Sequence, residues 1–258
     1  MRKRGHCGAA VIPMQPCCID LAQAANLRHG WAMVPFSFSG ERMVLSPGRA
    51  LYWPRMEVLL VADLHLEKAS FFAGTGQMLP PYDSRETLTR LADLIRRTGA
   101  RRVIALGDSF HDDGGFERLE PHARGMLDAL VRTVDWTWIA GNHDGQGAAG
   151  AVDELEIGGI VLRHCASRST GEPEISGHFH PRVAVTARGQ RLARPCAVLA
   201  EGAEGPSRLV LPAFGALTGG MDAADSALIG AIQPAQQVDA LVPLDNRMVR
   251  LPLWRKAA

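Results

Sequence analysis

An α/β chain that packs two sheets into one domain is what the 258 residues predict. The first half alternates strand and helix, and each of its strands ends in a polar cluster containing Gly or Asp. The second half is mostly strand. No internal repeat or low-complexity linker separates the halves, so a second sheet packed on the first is the economical arrangement.

The elements follow in order. "FSFSGERMVLSPGRALYWP" alternates around turn signals at Ser39-Gly40 and Pro47-Gly48 and predicts one or two antiparallel strands. Val58 to Ala62 is a continuous apolar run, the pattern of a strand buried on both faces, and it ends on Asp63-Leu64-His65. "PPYDSRETLTRLADLIRRTG" predicts a helix. Asp83 and Glu86 stand at capping-box spacing, and Leu88, Leu91, Leu94 and Ile95 make one apolar stripe. Arg96 and Arg97 suit the last turn and Gly99 ends it. "RRVIALGDSF" is a second buried strand, ending on Gly107-Asp108. "FERLEPHARGMLDALVRTV" predicts one helix with Pro121 in its first turn. "WTWIAGNHDG" is a third strand, ending on Gly141-Asn142-His143-Asp144. "ELEIGGIVLRH" predicts a hairpin through Gly158-Gly159, and three later stretches add strands. "ISGHFHPRV" sets His178 and His180 one residue apart, where strand alternation would turn both imidazoles to one face.

The bulk properties exclude several classes. Hydrophobic residues make up 47% and charged residues 21%, the composition of a globular protein. A net charge of +1 gives no global basic field for non-specific nucleic-acid binding, although it leaves room for a local basic groove. Five cysteines without a C-x-x-C pair argue against a disulfide scaffold or zinc ribbon and fit a reducing cytoplasm. No run of about 18 apolar residues could form a membrane-spanning helix. The opening "MRKRGHCGAAVIPMQPCC" is basic, but Gly8, Pro13, Gln15 and Pro16 break the apolar core a signal peptide needs. Residues 1–32 are therefore expected to be a flexible extension or a mis-called start, and 33–258 a single domain.

The strand ends carry the chemistry. Asp63, His65, Asp108, Asn142, His143, His164, His178 and His180 spell D-x-H, G-D, G-N-H-D, H and G-H-x-H. Each piece is weak alone, since G-N-H-D also suits a turn. Together, at the carboxyl ends of strands where α/β sheets collect ligands, they point to a metal centre. Carboxylates suit hard divalent ions, and imidazoles add affinity for Mn, Fe or Zn. A carboxylate can bridge two ions. Such a pair activates a water between them near neutral pH and neutralises charge building at phosphorus.

This series, over roughly residues 60 to 181, resembles the calcineurin-like metallophosphoesterase superfamily. The resemblance implies a four-layer αββα sandwich of two mixed sheets flanked by helices, with two divalent metal ions. Mn2+ is preferred, with Fe, Zn or Ni as alternatives. It implies Asp63, His65 and His180 as ligands of the first ion, Asp108 as the bridge, and Asn142, His164 and His178 as ligands of the second. His143 would reach the substrate, protonating the leaving oxygen or binding phosphate, with Asp144 orienting it. His111 and Asp112 read equally well as supports of the site or as solvated loop. His122 reads as surface and Cys165 as packing. A purple-acid type is disfavoured, because neither Tyr52 nor Tyr82 stands in a motif.

Five further stretches, "ALYWPRMEVLLVADLHLEKASFF", "LPPYDSRETL", "GDSFHD", "EISGHFHP" and "LPAFGALTGG", are similar to one branch of that superfamily, the bacterial ligase-associated DNA damage response endonucleases. That likeness implies a phosphodiesterase acting on DNA, single-stranded or end-containing, with a metal-bridging hydroxide as nucleophile. It also implies association with an ATP-dependent DNA ligase, an Lhr-like helicase and a metallo-β-lactamase-fold nuclease, and the superfamily adds a homodimer. "LPAFGALTGGMD" is expected to run near the active site as a loop. Lys68, Phe71 and Phe72 could hold a phosphate and stack a base, or simply pack a loop. Arg85, Arg90, Arg96, Arg97, Arg101 and Arg102 could contact a backbone, but arginine in a last helical turn usually complements the dipole. The rivals are a phosphatase or pyrophosphatase on nucleotides or small esters, and a non-catalytic scaffold or subunit of a ligase/helicase repair complex.

Overall fold

The structure, a computed structural model, describes residues 33–144, 150–167, 171–187, 190–202, 205–244 and 247–256. The extension expected over 1–32 lies outside the described residues. In chain order the elements are β1 (Val34–Phe38), β2 (Glu41–Leu45), β3 (Leu51–Trp53), β4 (Val58–Ala62), α1 (Lys68–Gly74), α2 (Asp83–Thr98), β5 (Arg102–Leu106), α3 (Gly115–Arg118), α4 (Pro121–Thr133) and β6 (Asp135–Ile139). There follow β7 (Glu154–Ile157), β8 (Ile160–Arg163), β9 (Glu174–Ser176), β10 (Arg182–Ala187), β11 (Gln190–Pro195), β12 (Ala197–Glu201), β13 (Arg208–Val210), α5 (Ser226–Ala231), β14 (Gln237–Leu244) and β15 (Arg247–Arg255).

Two large sheets result. The first runs β1-β2-β3-β4-β5-β6 and the second β15-β14-β12-β13-β9-β8-β7, while β10 and β11 form a separate hairpin. Both are mixed. β4, β5 and β6 are parallel, as are β8, β9 and β13, and the flanking strands pair antiparallel. Strand alternation decides the layers. Leu60, Ala62, Ile104 and Leu106 face the second sheet and meet Leu162, Ile175, Leu199 and Leu209. Their neighbours Leu59, Val61, Val103 and Ala105 face out and are covered by Leu88, Leu91 and Leu94 of α2 and Ala123 and Leu127 of α4. The outer face of the second sheet, with Val198, Ala200, Val238 and Ala240, is covered by Leu228 of α5, Ile232 and Val183. The helical layer is thus thick on one side and thin on the other.

Three local expectations change. The N-terminal stretch forms three strands, because Pro47 to Ala50 is itself a tight reversal, with Arg49 N–H on Ser46 O (2.9 Å) and Ser46 N–H on Ala50 O (2.9 Å). Asp83 is not a capping box partner of Glu86. It lies inside α2, and its carboxylate accepts from Ala69 N–H (3.1 Å). The single helix expected after Gly114 is two, since the chain is extended at Leu119 and Glu120 (ψ of 120° and 152°), where Glu120 caps α4 through the N–H groups of His122 and Ala123. Pro121 does begin α4.

One ion pair is wholly inside. Arg208 is 1% exposed and donates from Nε to Glu174 Oε1 at 3.1 Å, and Glu174 is fully buried. Burial pushes the Glu174 carboxyl up, against the Ser167 N–H, Arg208 and Arg163, which favour its charge. Removing Arg208 leaves a buried carboxylate without its nearer cation, with Arg163 at 3.5 Å. Arg208→Ala is expected to cost about 3–5 kcal/mol of stability, measured by urea unfolding. Among the described residues no helix is long and apolar enough to cross a membrane.

Candidate metal centre

The polar clusters follow β4, β5, β6, β8 and β9, so the carboxyl ends of parallel strands from both sheets meet at one edge of the sandwich. The chain then crosses from one sheet to the other there. Leu211 N–H donates to Ser176 O (2.7 Å), and three residues later Phe214 N–H donates to Ala62 O (2.7 Å) and Gly215 N–H to Asp63 O (3.1 Å). The "LPAFG" segment therefore does line the site.

Five of the clustered residues have left-handed backbones: Asp63 (φ 53°), His65 (φ 43°), Asp108 (φ 46°), His178 (φ 72°) and His180 (φ 48°). Such φ values are uncommon outside glycine and gather at functional sites. They also correct the strand reading of His178 and His180. Both lie beyond the end of β9, in a turn. From these left-handed positions, rather than from a strand pleat, the His180 ring meets His65 and the His178 ring meets His164.

Two groups of side chains could each hold an ion: Asp63, His65, Asp108 and His180, and then Asp108, His164 and His178, with Asp108 common to both. In the first, His65 Nε2 and His180 Nε2 are 3.2 Å apart, His180 Nε2 is 3.5 Å from Asp63 Oδ1, and His65 Nε2 is 3.8 Å from Asp108 Oδ2. In the second, His164 Nδ1 donates to Leu106 O (3.1 Å). A neutral ring so bonded presents a lone pair at Nε2. That nitrogen meets Asn142 Oδ1 at 2.8 Å, His178 Nδ1 at 3.1 Å and Asp108 Oδ2 at 3.5 Å. Acceptors are thus crowded around points with too few protons among them. Protonation is not the remedy at His65, which burial, reinforced by His180 and Lys68, pushes down to about 2. Its Nδ1 has no hydrogen-bond partner. Converging lone pairs on two buried carboxylates and four imidazoles fit divalent cations.

The glycines of the motifs make room. A Cβ on Gly107 (φ 73°) would stand 2.2 Å from His164 Nδ1, and one on Gly141 would stand 2.1 Å from Asp108 N and 2.3 Å from its Oδ1. Gly141→Ala is expected to displace Asp108 and weaken Mn2+ binding at least about tenfold, read by calorimetric titration.

The calcineurin-like phosphoesterase family matches residues 56–186, just over half of the chain. The chain belongs to this family. It is a metal-dependent phosphoester hydrolase. Among solved structures, this phosphoesterase is similar to the nuclease MPE of Pseudomonas putida, with 27% identity, 85% of this chain and all of that chain covered, and a TM-score of 0.64. It also matches the phosphoesterase Yfce of E. coli, with 13% identity, 76% and 98% covered and a TM-score of 0.39. A third match is zinc-complexed Vps29 of Entamoeba histolytica, with 15% identity, 76% and 98% covered and a TM-score of 0.33. Comparison with curated proteins returns no match.

Around the phosphoesterase's metal centre the remaining residues sort themselves. His143 belongs to neither ligand group. Its backbone N–H donates to Asp108 Oδ1 (2.9 Å) and its Nδ1 to His111 O (3.0 Å), leaving Nε2 for solvent or substrate. The His111 ring stacks on that of His143, 14° from parallel. Asp144 does not bond to the His143 ring. Its buried carboxylate accepts from the N–H groups of Ser109 (2.7 Å), Phe110 (3.1 Å) and Gly141 (3.0 Å), so it pins the loop that carries His143 to the loop that carries Asp108. Burial pushes that carboxyl up, although all three N–H bonds favour its charge. Asp112 is paired with Arg118 instead. His122 is exposed on α4, and Cys165 is exposed outside both ligand groups.

Lys68 lies close enough to His65 and His111 to disfavour their charged forms. Phe71 and Phe72 both pack on His111, with centroids 4.8 and 5.6 Å away, and Phe71 is 37% exposed. The six arginines have partners inside the chain. Arg85 pairs with Glu120, Arg96 and Arg97 with Asp93, Arg101 with Glu57, and Arg102 with Asp135, while Arg90 bonds to Phe214 O. The sequence reading missed Arg49 and Arg182, which no motif marks.

Proposed function

We propose that this phosphoesterase is a nuclease, a two-metal phosphodiesterase that cuts DNA that is single-stranded or carries an end. The observation that carries the reading is the pair of ligand groups that share Asp108. In this reading Asp63, His65 and His180 would hold one ion, Asn142, His164 and His178 would hold the other, and Asp108 would serve both. Two such ions, Mn2+ first among them, would supply charge that acidifies water and offsets negative charge on the phosphoryl oxygens.

The chain's own residues supply the rest. His143 directs Nε2 at the substrate, where it binds the phosphate or delivers a proton to the leaving oxygen. The His111 carbonyl holds its tautomer and Asp144 holds its loop. Phe71, beside these, offers a face for a base, and Lys68 a charge for a phosphate. The likeness to a nuclease over that nuclease's whole length supports the choice of substrate. The same reading places the protein in the cytoplasm, in DNA repair. Its partners there are DNA ligase, an Lhr-like helicase and a metallo-β-lactamase-fold nuclease, with a second copy of itself as a further partner. Residues 33–258 would form the one catalytic domain.

The test is hydrolysis by metal-free protein reloaded with Mn2+, given bis-p-nitrophenyl phosphate, p-nitrophenyl phosphate and a labelled single-stranded oligonucleotide. Cutting of the diester and the oligonucleotide supports the nuclease. Cutting of the monoester alone overturns it in favour of a small-ester phosphatase. Binding of two ions with no cutting overturns it in favour of a scaffold.

A further inference from the structure

Three arginines from three separate elements lie along residues 213–221, the segment that crosses between the sheets and its continuation. Arg49, in the reversal before β3, donates from Nη1 to Gly215 O (3.0 Å) and Ala213 O (3.5 Å). Arg90, midway along α2, bonds to Phe214 O and lies over the Phe214 ring, 4.5 Å from its centroid. Arg182, at the start of β10, donates its backbone N–H to Met221 O (2.9 Å), and its stem lies against Gly220, where a Cβ would stand 2.7 Å from Arg182 Cγ and Cδ. This segment also borders the metal centre. Gly215 is bonded to Asp63, and a Cβ on Gly220 would stand 2.3 Å from His180 O.

The charges do not balance. The acid facing Arg49 and Arg90 is Glu86, which is 3.9 Å from Arg90 with its side chain 67% exposed. Among the described residues neither Arg49 nor Arg182 forms an ion pair. Nε of Arg90 and Nε of Arg182 are buried without a hydrogen-bond partner. Burial and the neighbouring cation hold Arg49 and Arg90 below the usual guanidinium range, Arg90 at about 10. Like charges half-buried together cost free energy that an anion between them would return. Guanidinium groups with unused donors fit phosphate oxygens.

We propose that Arg49, Arg90 and Arg182 form a second anion site beside the metal centre, which takes a backbone phosphodiester neighbouring the one that is cut. The occupant rests on the nuclease reading, because a polynucleotide delivers a second phosphate along with the first. Free phosphate has the same oxygens and is separated by the test below.

Arg182→Gln is the variant of choice, because Arg49 and Arg90 also hold the carbonyls of residues 213 to 215, whereas the Arg182 side chain bonds to Ala193 O at the surface. Binding of a fluorescein-labelled oligothymidylate to metal-free protein is followed by anisotropy over a range of salt. R182Q is expected to weaken binding about tenfold and to lower the slope of log K against log salt by about 0.7, while R182K keeps the slope. With Mn2+, the ratio of kcat/KM for oligonucleotide to that for bis-p-nitrophenyl phosphate should fall about tenfold. An oligonucleotide with one neutral methylphosphonate beside the cleaved bond should bind wild type as weakly as R182Q binds the unmodified strand. An unchanged slope, an equal fall on both substrates, or tight binding of the methylphosphonate strand overturns the site, as does competition by millimolar phosphate that matches the R182Q loss without any methylphosphonate effect. If wild type binds DNA through Arg182 but does not cut it, the anion site stands and the nuclease reading fails.

Discussion

Asp108→Asn is expected to lower hydrolysis by several kcal/mol of transition-state stabilisation, on the order of 10^3-fold or more, and to raise the melting temperature of the metal-free protein. The two effects have one origin. Asp108 is the carboxylate common to both ligand groups, 3.5 Å from His164 Nε2 and 3.8 Å from His65 Nε2. Without its charge a single carboxylate, Asp63, is left to two dications, so titration with Mn2+ should show fewer than two ions bound. In the metal-free state its Oδ1 accepts the His143 N–H, while its Oδ2 adds a further lone pair to those of His65 and His164. Asparagine keeps the shape, can still accept the His143 N–H through Oδ1, and brings an N–H₂ group that can donate to a neighbouring imidazole. It also tolerates the left-handed backbone at this position, where φ is 46°. A variant that loses activity and stability together would show that Asp108 serves the fold rather than the ions.

His143→Gln should lower kcat by about 10^2- to 10^4-fold while both ions still bind. The His143 ring lies in neither ligand group, and the bond from this residue to Asp108 is made by the backbone N–H, which glutamine retains. Leaving-group dependence separates the two roles of the ring. A proton donor matters little when p-nitrophenolate leaves and greatly when a nucleotide hydroxyl leaves, so the loss on an oligonucleotide should exceed the loss on bis-p-nitrophenyl phosphate. Equal losses on both would assign the ring to phosphate binding. Lost Mn2+ stoichiometry would mean that the loop itself has moved.

Much of the frame was legible in the chain. The apolar runs at 58–62 and 102–106 are buried throughout apart from Arg102, as strands covered on both faces should be. The stripe of Leu88, Leu91, Leu94 and Ile95 is the buried face of α2, and Gly99 ends that helix in the left-handed conformation. The hairpin through Gly158-Gly159 pairs Ile157 with Ile160. Each of these depends on neighbours a few residues away, and period and turn chemistry record such neighbours directly.

Other features depend on neighbours that the chain brings together from far apart. Asp83 left its capping box because Ala69, on another helix, offered an N–H. Asp144 turned from the His143 ring to the backbone of Ser109 and Phe110 because the β5 and β6 loops lie side by side in the sheet. The carbonyl that holds His143 comes from His111, 32 residues earlier, and two unmarked arginines, Arg49 and Arg182, join Arg90 along residues 213–221. By itself the sequence determined which residues could bind metal and that they stand at strand ends, because composition and period are local. The resemblance already named Asp108 as the bridge; only the tertiary structure decided that His178 and His180 reach their separate ligand groups from left-handed backbones, and where uncompensated charge collects. Those outcomes follow from packing two sheets face to face so that the carboxyl ends of their parallel strands meet along one edge, which sets long-range distances and imposes backbone conformations that no local preference would choose.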